Sequence, residues 1–542
     1  MSHFTTRQLL AQCIMPRISA DEYYDADKGE ATRQALHSLI QSEGIGGVCV
    51  FAGEALQTAQ MLQELQSLAA RAQHPPLLVS ADFEYGVAMR LSGGTPFPHA
   101  MALGIADNTA ITEKVARAIA IEAKALGVHW NLAPVADVHS NKLNPVINIR
   151  AFGETPDVVS RHAAAYIRGT QAEHILASAK HFPGHGDTQA DSHLELPSLP
   201  FDRSRLDALE LLPFRAAIQE GVRSVMVGHL AVPALEADGT EYLPASLSRA
   251  VMTRLLREEL GFEGIIITDG LDMKAITHSF SVQQSPVMAF AGGADILLLP
   301  PEPLHALDAL EEAVKSGQIS LAKVHASAQR ILEAKQWCGL LTIEADDEDA
   351  PWQIESLDTA QIQRVRRKPG DQPEISKQDQ SLLALDAATP ALRWFGDRLS
   401  VQPLDKFGQI AGFAFVEERD IPQATSFFRY LAQLYQADCD FAFVNAEIEE
   451  HDIAELLMGT EGAEAVVFAV FVRVTESKQG LVRIAERFEA IAKCLASGKP
   501  SVAVLFGNPH IRETFPASAF LCTFSPSEPS LGAAASELVR AE

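Results

Sequence analysis

The chain has 542 residues, 47% of them hydrophobic, which supplies more than one core and exceeds a single ordinary domain. Lys and Arg number 44 against 70 Asp and Glu, a formal charge of −26, and so acidic a surface argues against nucleic acid as a partner. No apolar run approaches the roughly 18 residues of a membrane span, the first residues lack the basic start and apolar core of a secretory signal, and the six cysteines are widely spaced without a CxxC, so a soluble protein of the cytoplasm with reduced thiols is expected.

Eight short apolar runs occupy the first part of the chain: Gln12 to Ile18, Gly47 to Phe51, Pro76 to Asp82, Gly127 to Asp137, Ile175 to His181, Val222 to His229, Gly264 to Asp269 and Ala294 to Pro300. Helical patterns separate most of them. One runs from Thr109 to Leu126, and another opens at Thr155-Pro156-Asp157 with a capping Thr and a Pro in the first turn. Eight strands alternating with helices predict a (β/α)8 TIM-type barrel over residues 1–342. Such barrels keep their chemistry at the C-terminal strand ends. Here those ends carry Asp82, Asp137, Lys180 with His181, His229 and Asp269, a density of ionisable groups that helix capping alone explains poorly.

Residues 343–378 read as a linker, with an acidic run from Glu344 to Asp349 and a basic, Pro- and Gly-containing stretch from Arg364 to Pro373. From 379 to 542 apolar runs return at Gly412 to Val416, Asp440 to Val444, Ala465 to Val472, Pro500 to Phe506 and Ala519 to Phe524. With helical spacing between them, they predict a smaller α/β sandwich around a mainly parallel sheet.

The richest stretch is Lys180-His181-Phe182-Pro183-Gly184-His185-Gly186-Asp187-Thr188, followed by Asp191-Ser192-His193. It follows an apolar strand and concentrates groups that titrate near neutrality on backbone that Gly and Pro can bend. Asp191 and His193, two apart, can place a carboxylate beside an imidazole and so orient a general acid or base. The same residues leave a second reading open: His181, His185, Asp187, Asp191 and His193 could together form a metallohydrolase site.

This stretch resembles the signature of glycoside hydrolase family 3, in particular its bacterial β-N-acetylglucosaminidase branch. Further motifs fall in the family's order: Asp82-Phe83-Glu84-Tyr85-Gly86 with Met89-Arg90-Leu91, Asn144-Pro145-Val146 through Arg150-Ala151-Phe152-Gly153, Pro244-Ala245-Ser246-Leu247-Ser248, and Ile267-Thr268-Asp269-Gly270-Leu271-Asp272-Met273. The resemblance implies a retaining exo-β-N-acetylglucosaminidase acting on a small carbohydrate, with no metal and no cofactor. It makes Asp269 the nucleophile, with Asp272 as competitor, His193 the acid/base and Asp191 its orienting partner. Asp82, Arg150, Lys180 and His181 would bind sugar hydroxyls, while His185 and Asp187 would hold the loop's own backbone. A phosphorylase using the same site, a β-glucosidase of the same family and a sugar-binding protein without turnover are the other readings. Phe83, Tyr85 and the pair Asn148-Ile149 depart from the commonest family pattern, which bears on the aglycone.

Overall fold

The computed structural model describes residues 4–188, 196–236, 243–343, 362–364, 376–435, 440–445, 448–471, 480–513 and 515–539. The chain divides into two compact units: Met1–Thr95, Ala116–Val138 and Thr155–Ile375 form the first, and Pro96–Val115, His139–Glu154 and Ser376–Glu542 the second. The sequence reading ran the first domain unbroken from 1 to 342; the compact units differ in that 96–115 and 139–154 pack with the second half. Met101 and Ala102 join Phe413, Phe468 and Phe515 in one buried cluster, and Arg393 Nη2 donates to the Ile105 carbonyl at 2.6 Å.

In the first unit, β1 (Ile14–Met15 and Arg17–Ser19, interrupted at Pro16) is followed by β2 (Gly47–Glu54), β3 (Leu78–Ala81), β4 (Trp130–Asn131), β5 (Leu176–Phe182), β6 (Ser224–Val227), β7 (Ile265–Thr268) and β8 (Leu297–Leu298). Neighbours pair in parallel from β1 through β7. An isolated Ile267–Ile296 bridge joins the β8 segment to β7, and Ile14–Leu297 pairing returns it to β1. The circuit is closed, so no strand edge is left to recruit another chain. Apolar runs serve here because the strands are buried on both faces; every residue of β5, β6 and β7 is buried.

Helices stand between the strands. Ala55–Arg71 buries Thr58, Met61, Leu62, Leu65, Leu68 and Ala69, the stripe expected of a helix lying on a sheet. Pro156–Gln171 begins with Pro at its first turn, where a missing N–H costs nothing; Thr155 takes the N-cap position, but its hydroxyl makes no capping hydrogen bond.

The second unit contains β9 (Arg393–Gly396), β10 (Ile410–Phe415), β11 (Asp440–Val444), β12 (Ala465–Val470), β13 (Ser501–Leu505) and β14 (Ala519–Cys522). They form one six-stranded sheet in the order β9-β14-β13-β12-β10-β11, antiparallel only at β9–β14. Alternate residues feed two cores: Ala465, Val467 and Ala469 enter one, Val466, Phe468 and Val470 the other. No described helix is long and apolar enough to cross a membrane.

Candidate active site

Parallel pairing carries the ionisable strand ends to one end of the ring. Asp82 and Asp269 directly follow β3 and β7, Lys180 and His181 lie within β5, and His229 stands two residues beyond β6. Asp137 is further past β4, beyond an isolated Val135–Lys180 bridge that extends the pairing.

Lys180, 2% exposed, donates from Nζ to Asp82 Oδ1 and Glu84 Oε1, each at 2.7 Å. Arg90 Nη2 donates to Asp82 Oδ2 at 2.6 Å while its guanidinium lies over the Phe51 ring, 4.2 Å from the centroid. Burial works to raise the Asp82 carboxyl, but the Lys180 and Arg90 charges outweigh it and hold the group below the usual carboxylate range. The Asp82 carboxylate in turn raises the Arg90 guanidinium against the cost of its burial. Removing one partner leaves a buried charge uncompensated, at a cost of about 3–5 kcal/mol.

Asp137, fully buried, organises the other side of the loop. Its Oδ2 accepts from His181 Nδ1–H at 2.7 Å, which sets the tautomer and turns Nε2 into the lone-pair nitrogen of the neutral ring. Its Oδ1 accepts from the His185 backbone N–H at 2.6 Å. Gly186 passes so close to the preceding strand end that a Cβ would stand 1.7 Å from the Val138 carbonyl. His185 Nδ1 lies 2.7 Å from Thr188 Oγ1, and burial, reinforced by His181, pushes its pKa down to about 4, so this ring is neutral at pH 7. Asp187 accepts from Arg205 at 2.9 Å. His185 and Asp187 therefore make contacts that brace the loop. Two of the five donors of the metallohydrolase reading, Asp191 and His193, lie outside the described residues, and among the described residues no group of three or more His, Cys, Asp or Glu is arranged to hold a metal ion.

Asp269 is fixed by the neighbouring strand and its own loop: its backbone N–H donates to the Val227 carbonyl of β6 at 2.9 Å, and its Oδ1 accepts from Gly270 N–H at 2.8 Å. Asp272 is exposed, its pKa raised by partial desolvation against the pull of its own backbone N–H and of Arg17, and it lines a separate cavity of 410 Å³ with Arg17, Tyr23 and Pro300. Arg150 lies in the second unit, in the single turn Asn148–Arg150, where its Nη1 donates to the Val146 carbonyl at 3.3 Å. Asp191 and His193 lie outside the described residues.

Asp137, Glu84 and Arg90 were not among the site residues expected from the sequence. Asp137 ends the fourth apolar run, and Glu84 and Arg90 stand within the motif that supplied Asp82. The signal was present in each case, but the partner was not.

A closed barrel whose C-terminal end gathers a fixed carboxylate, a buried lysine–carboxylate cluster and oriented imidazoles carries its ionisable groups where (β/α)8 barrels carry their sites. The model of the glycosyl hydrolase family 3 N terminal domain matches residues 5–334, and the chain belongs to that family. It is 34% identical over 326 residues to beta-hexosaminidase A of Pseudoalteromonas piscicida, covering 55% of this chain and 54% of that protein. To the beta-N-acetylglucosaminidase/beta-glucosidase of Cellulomonas fimi it is 32% identical over 335 residues, covering 60% and 56%. The chain thus spans just over half the length of these relatives. Among solved structures, a glycoside hydrolase family 3 beta-N-acetylglucosaminidase from Paenibacillus sp. str. FPU-7 superposes with a TM-score of 0.81 at 28% identity, covering 99% of this chain and 97% of that one.

Proposed function

We propose that the protein is a retaining, exo-acting β-N-acetylglucosaminidase that needs no metal or cofactor and releases terminal β-linked N-acetylglucosamine from peptidoglycan fragments or chitin oligosaccharides. The observation that carries this reading is Asp269, a carboxylate at a barrel strand end with Oδ1 held by Gly270 N–H. Its carboxylate attacks the anomeric carbon and forms the glycosyl-aspartate. His193 protonates the departing oxygen and, neutral after that step, takes a proton from the incoming water; Asp191 orients it. Lys180, held between Asp82 and Glu84, and His181, held by Asp137, receive sugar hydroxyls without having to reorganise. Asp82 and Arg150 bind further hydroxyls, roles supported by their family motifs. Release of the sugar is placed in the cytoplasm, in peptidoglycan recycling; the buried free thiols Cys13, Cys49, Cys338 and Cys522 support a reducing compartment.

The test is a matched pair of aryl substrates. β-N-acetylglucosaminides should exceed β-glucosides in kcat/KM by at least about tenfold, the scale of one or two well-placed contacts. Equal values would transfer the protein to the β-glucosidases of the family, and a sugar phosphate formed in phosphate buffer would make it a phosphorylase.

A further inference from the structure

We propose that His229, held in turn by Ser246, is a positioning residue for the nucleophile; the proposal rests on the reading of Asp269 above. His229 is fully buried just beyond β6, and Ser246 is equally buried. His229 Nε2 lies 2.7 Å from the Gly270 carbonyl oxygen, which can only accept, so Nε2 carries the hydrogen. Nδ1 lies 2.7 Å from Ser246 Oγ and, in the neutral ring, accepts the hydroxyl hydrogen. Ser246, His229 and the Gly270 carbonyl thus form a directed chain that ends on the residue whose N–H donates to Asp269 Oδ1 at 2.8 Å.

The neighbouring backbone shows what this chain adds. Asp269 N–H is tied to Val227 in β6 at 2.9 Å, and Leu271 N–H to Leu298 in β8 at 3.0 Å. The Gly270 carbonyl between them receives the His229 side chain and the Met273 N–H at 3.1 Å. Gly270 has no side chain to wedge it in place, and a Cβ there would stand 2.8 Å from Asp272 Oδ1. The carbonyl belongs to the peptide after Gly270 and the N–H to the peptide before it, and the two are joined by glycine φ and ψ that no Cβ restrains; without the imidazole the first can tilt and let the second carry its N–H off the Asp269 carboxylate. Misplacing an attacking atom by about 1 Å costs on the order of 100-fold in rate.

Steady-state kinetics on an aryl β-N-acetylglucosaminide tests the chain. His229→Leu, similar in bulk but without an N–H, should lower kcat about 100-fold with KM changed less than about threefold. His229→Gln, whose amide N–H can reach the Gly270 carbonyl, should recover about tenfold of that loss. Ser246→Ala should lower kcat about fivefold in the wild-type background and have no effect added to His229→Leu, because the serine acts only through the histidine. Should His229→Leu fail to fold, His229→Gln and Ser246→Ala still read kcat. Equal rates for the Leu and Gln variants, or a Ser246→Ala loss that multiplies with that of His229→Leu, would overturn the positioning role. Wild-type rates in His229→Leu beside an inactive Asp269→Asn overturn that role alone, whereas turnover surviving Asp269→Asn overturns the nucleophile reading beneath it.

Discussion

The barrel strands and the strands of the second unit are made of similar buried, apolar runs, and they differ at their C-terminal ends. Beyond the barrel strands stand Asp82, Asp137, His229 and Asp269, with Lys180 and His181 inside β5. In the second unit β10, β12 and β13 run into Val416, Phe471 and Phe506, all buried, with Phe471 and Phe506 stacked at 4.5 Å. Closure explains the difference. A ring brings its strand ends together, so a charge at one end finds its counter-charge at another, as Lys180 does with Asp82 and Glu84. An open six-stranded sheet spreads its ends over roughly 24 Å at about 4.8 Å per strand. A charge buried there would face its desolvation cost without such a partner, and aromatic residues fill the space instead.

If the barrel ends do chemistry, Asp269→Asn should lower turnover of an aryl β-N-acetylglucosaminide by about four orders of magnitude, because no other carboxylate replaces it in the covalent step. Asp272→Asn should cost much less, and a reversal of the two effects would move the nucleophile one helical turn along the loop.

His193→Ala should slow hydrolysis of a natural disaccharide by about 1,000-fold while sparing the first step on an aryl glycoside with a good leaving group. The glycosyl-aspartate should then accumulate, azide should restore turnover with a β-azide product, and Asp191→Ala should repeat the pattern more mildly. Equal slowing of both substrates, without azide rescue, would make the loop histidine structural.

The sheet ends should respond in stability alone. Phe506→Ala opens a cavity against Phe427 and Phe471 and should cost about 3–5 kcal/mol in denaturant unfolding of the second unit. The barrel's unfolding should be unaffected, and kcat of the folded protein should stay at the wild-type value. A drop in kcat at unchanged folding would give the sheet ends a share in the chemistry.

Both units should share one smaller acid response. Burial lowers His185 in the barrel and His139 in the second unit from 6.5 to about 4. The unfolded chain therefore takes up these protons first. The stability they contribute is complete above about pH 6.5 and is lost as the pH falls to about 4, up to roughly 3 kcal/mol for each. His185→Gln should flatten the slope for the barrel and His139→Gln that for the second unit, as read by unfolding at pH 7 and pH 4.5. An unchanged slope would show that these rings are not held neutral by the fold.

Much of the barrel was legible because a strand buried on both faces is an apolar run, and the first charge after it marks where the chain reaches solvent or a partner. That logic marked Asp82, Asp137, His229 and Asp269 before any coordinates. It marked lengths less well: the regular part of β4 is Trp130–Asn131 within an apolar run from 127 to 137, and β1 breaks at Pro16, which has no N–H for the ladder. His185 and Asp187 were expected to hold the loop's own backbone, but their side chains meet the Thr188 hydroxyl and Arg205 instead, and the use of Asp137 to hold His181 and His185 together was not anticipated.

By itself the sequence determined the alternation of strand and helix and the order of the motifs, since each is a property of residues close together in the chain. Only the tertiary structure decided the partners. Lys180 meets Asp82 across 98 residues, His181 meets Asp137 across 44 and His229 meets the Gly270 carbonyl across 41, and segments 96–115 and 139–154, the latter carrying Arg150, pack with the second half of the chain. Periodicity reports which face of an element is buried, but a hydrogen bond depends on a few tenths of an ångström between elements whose relative placement is set by packing of the whole core.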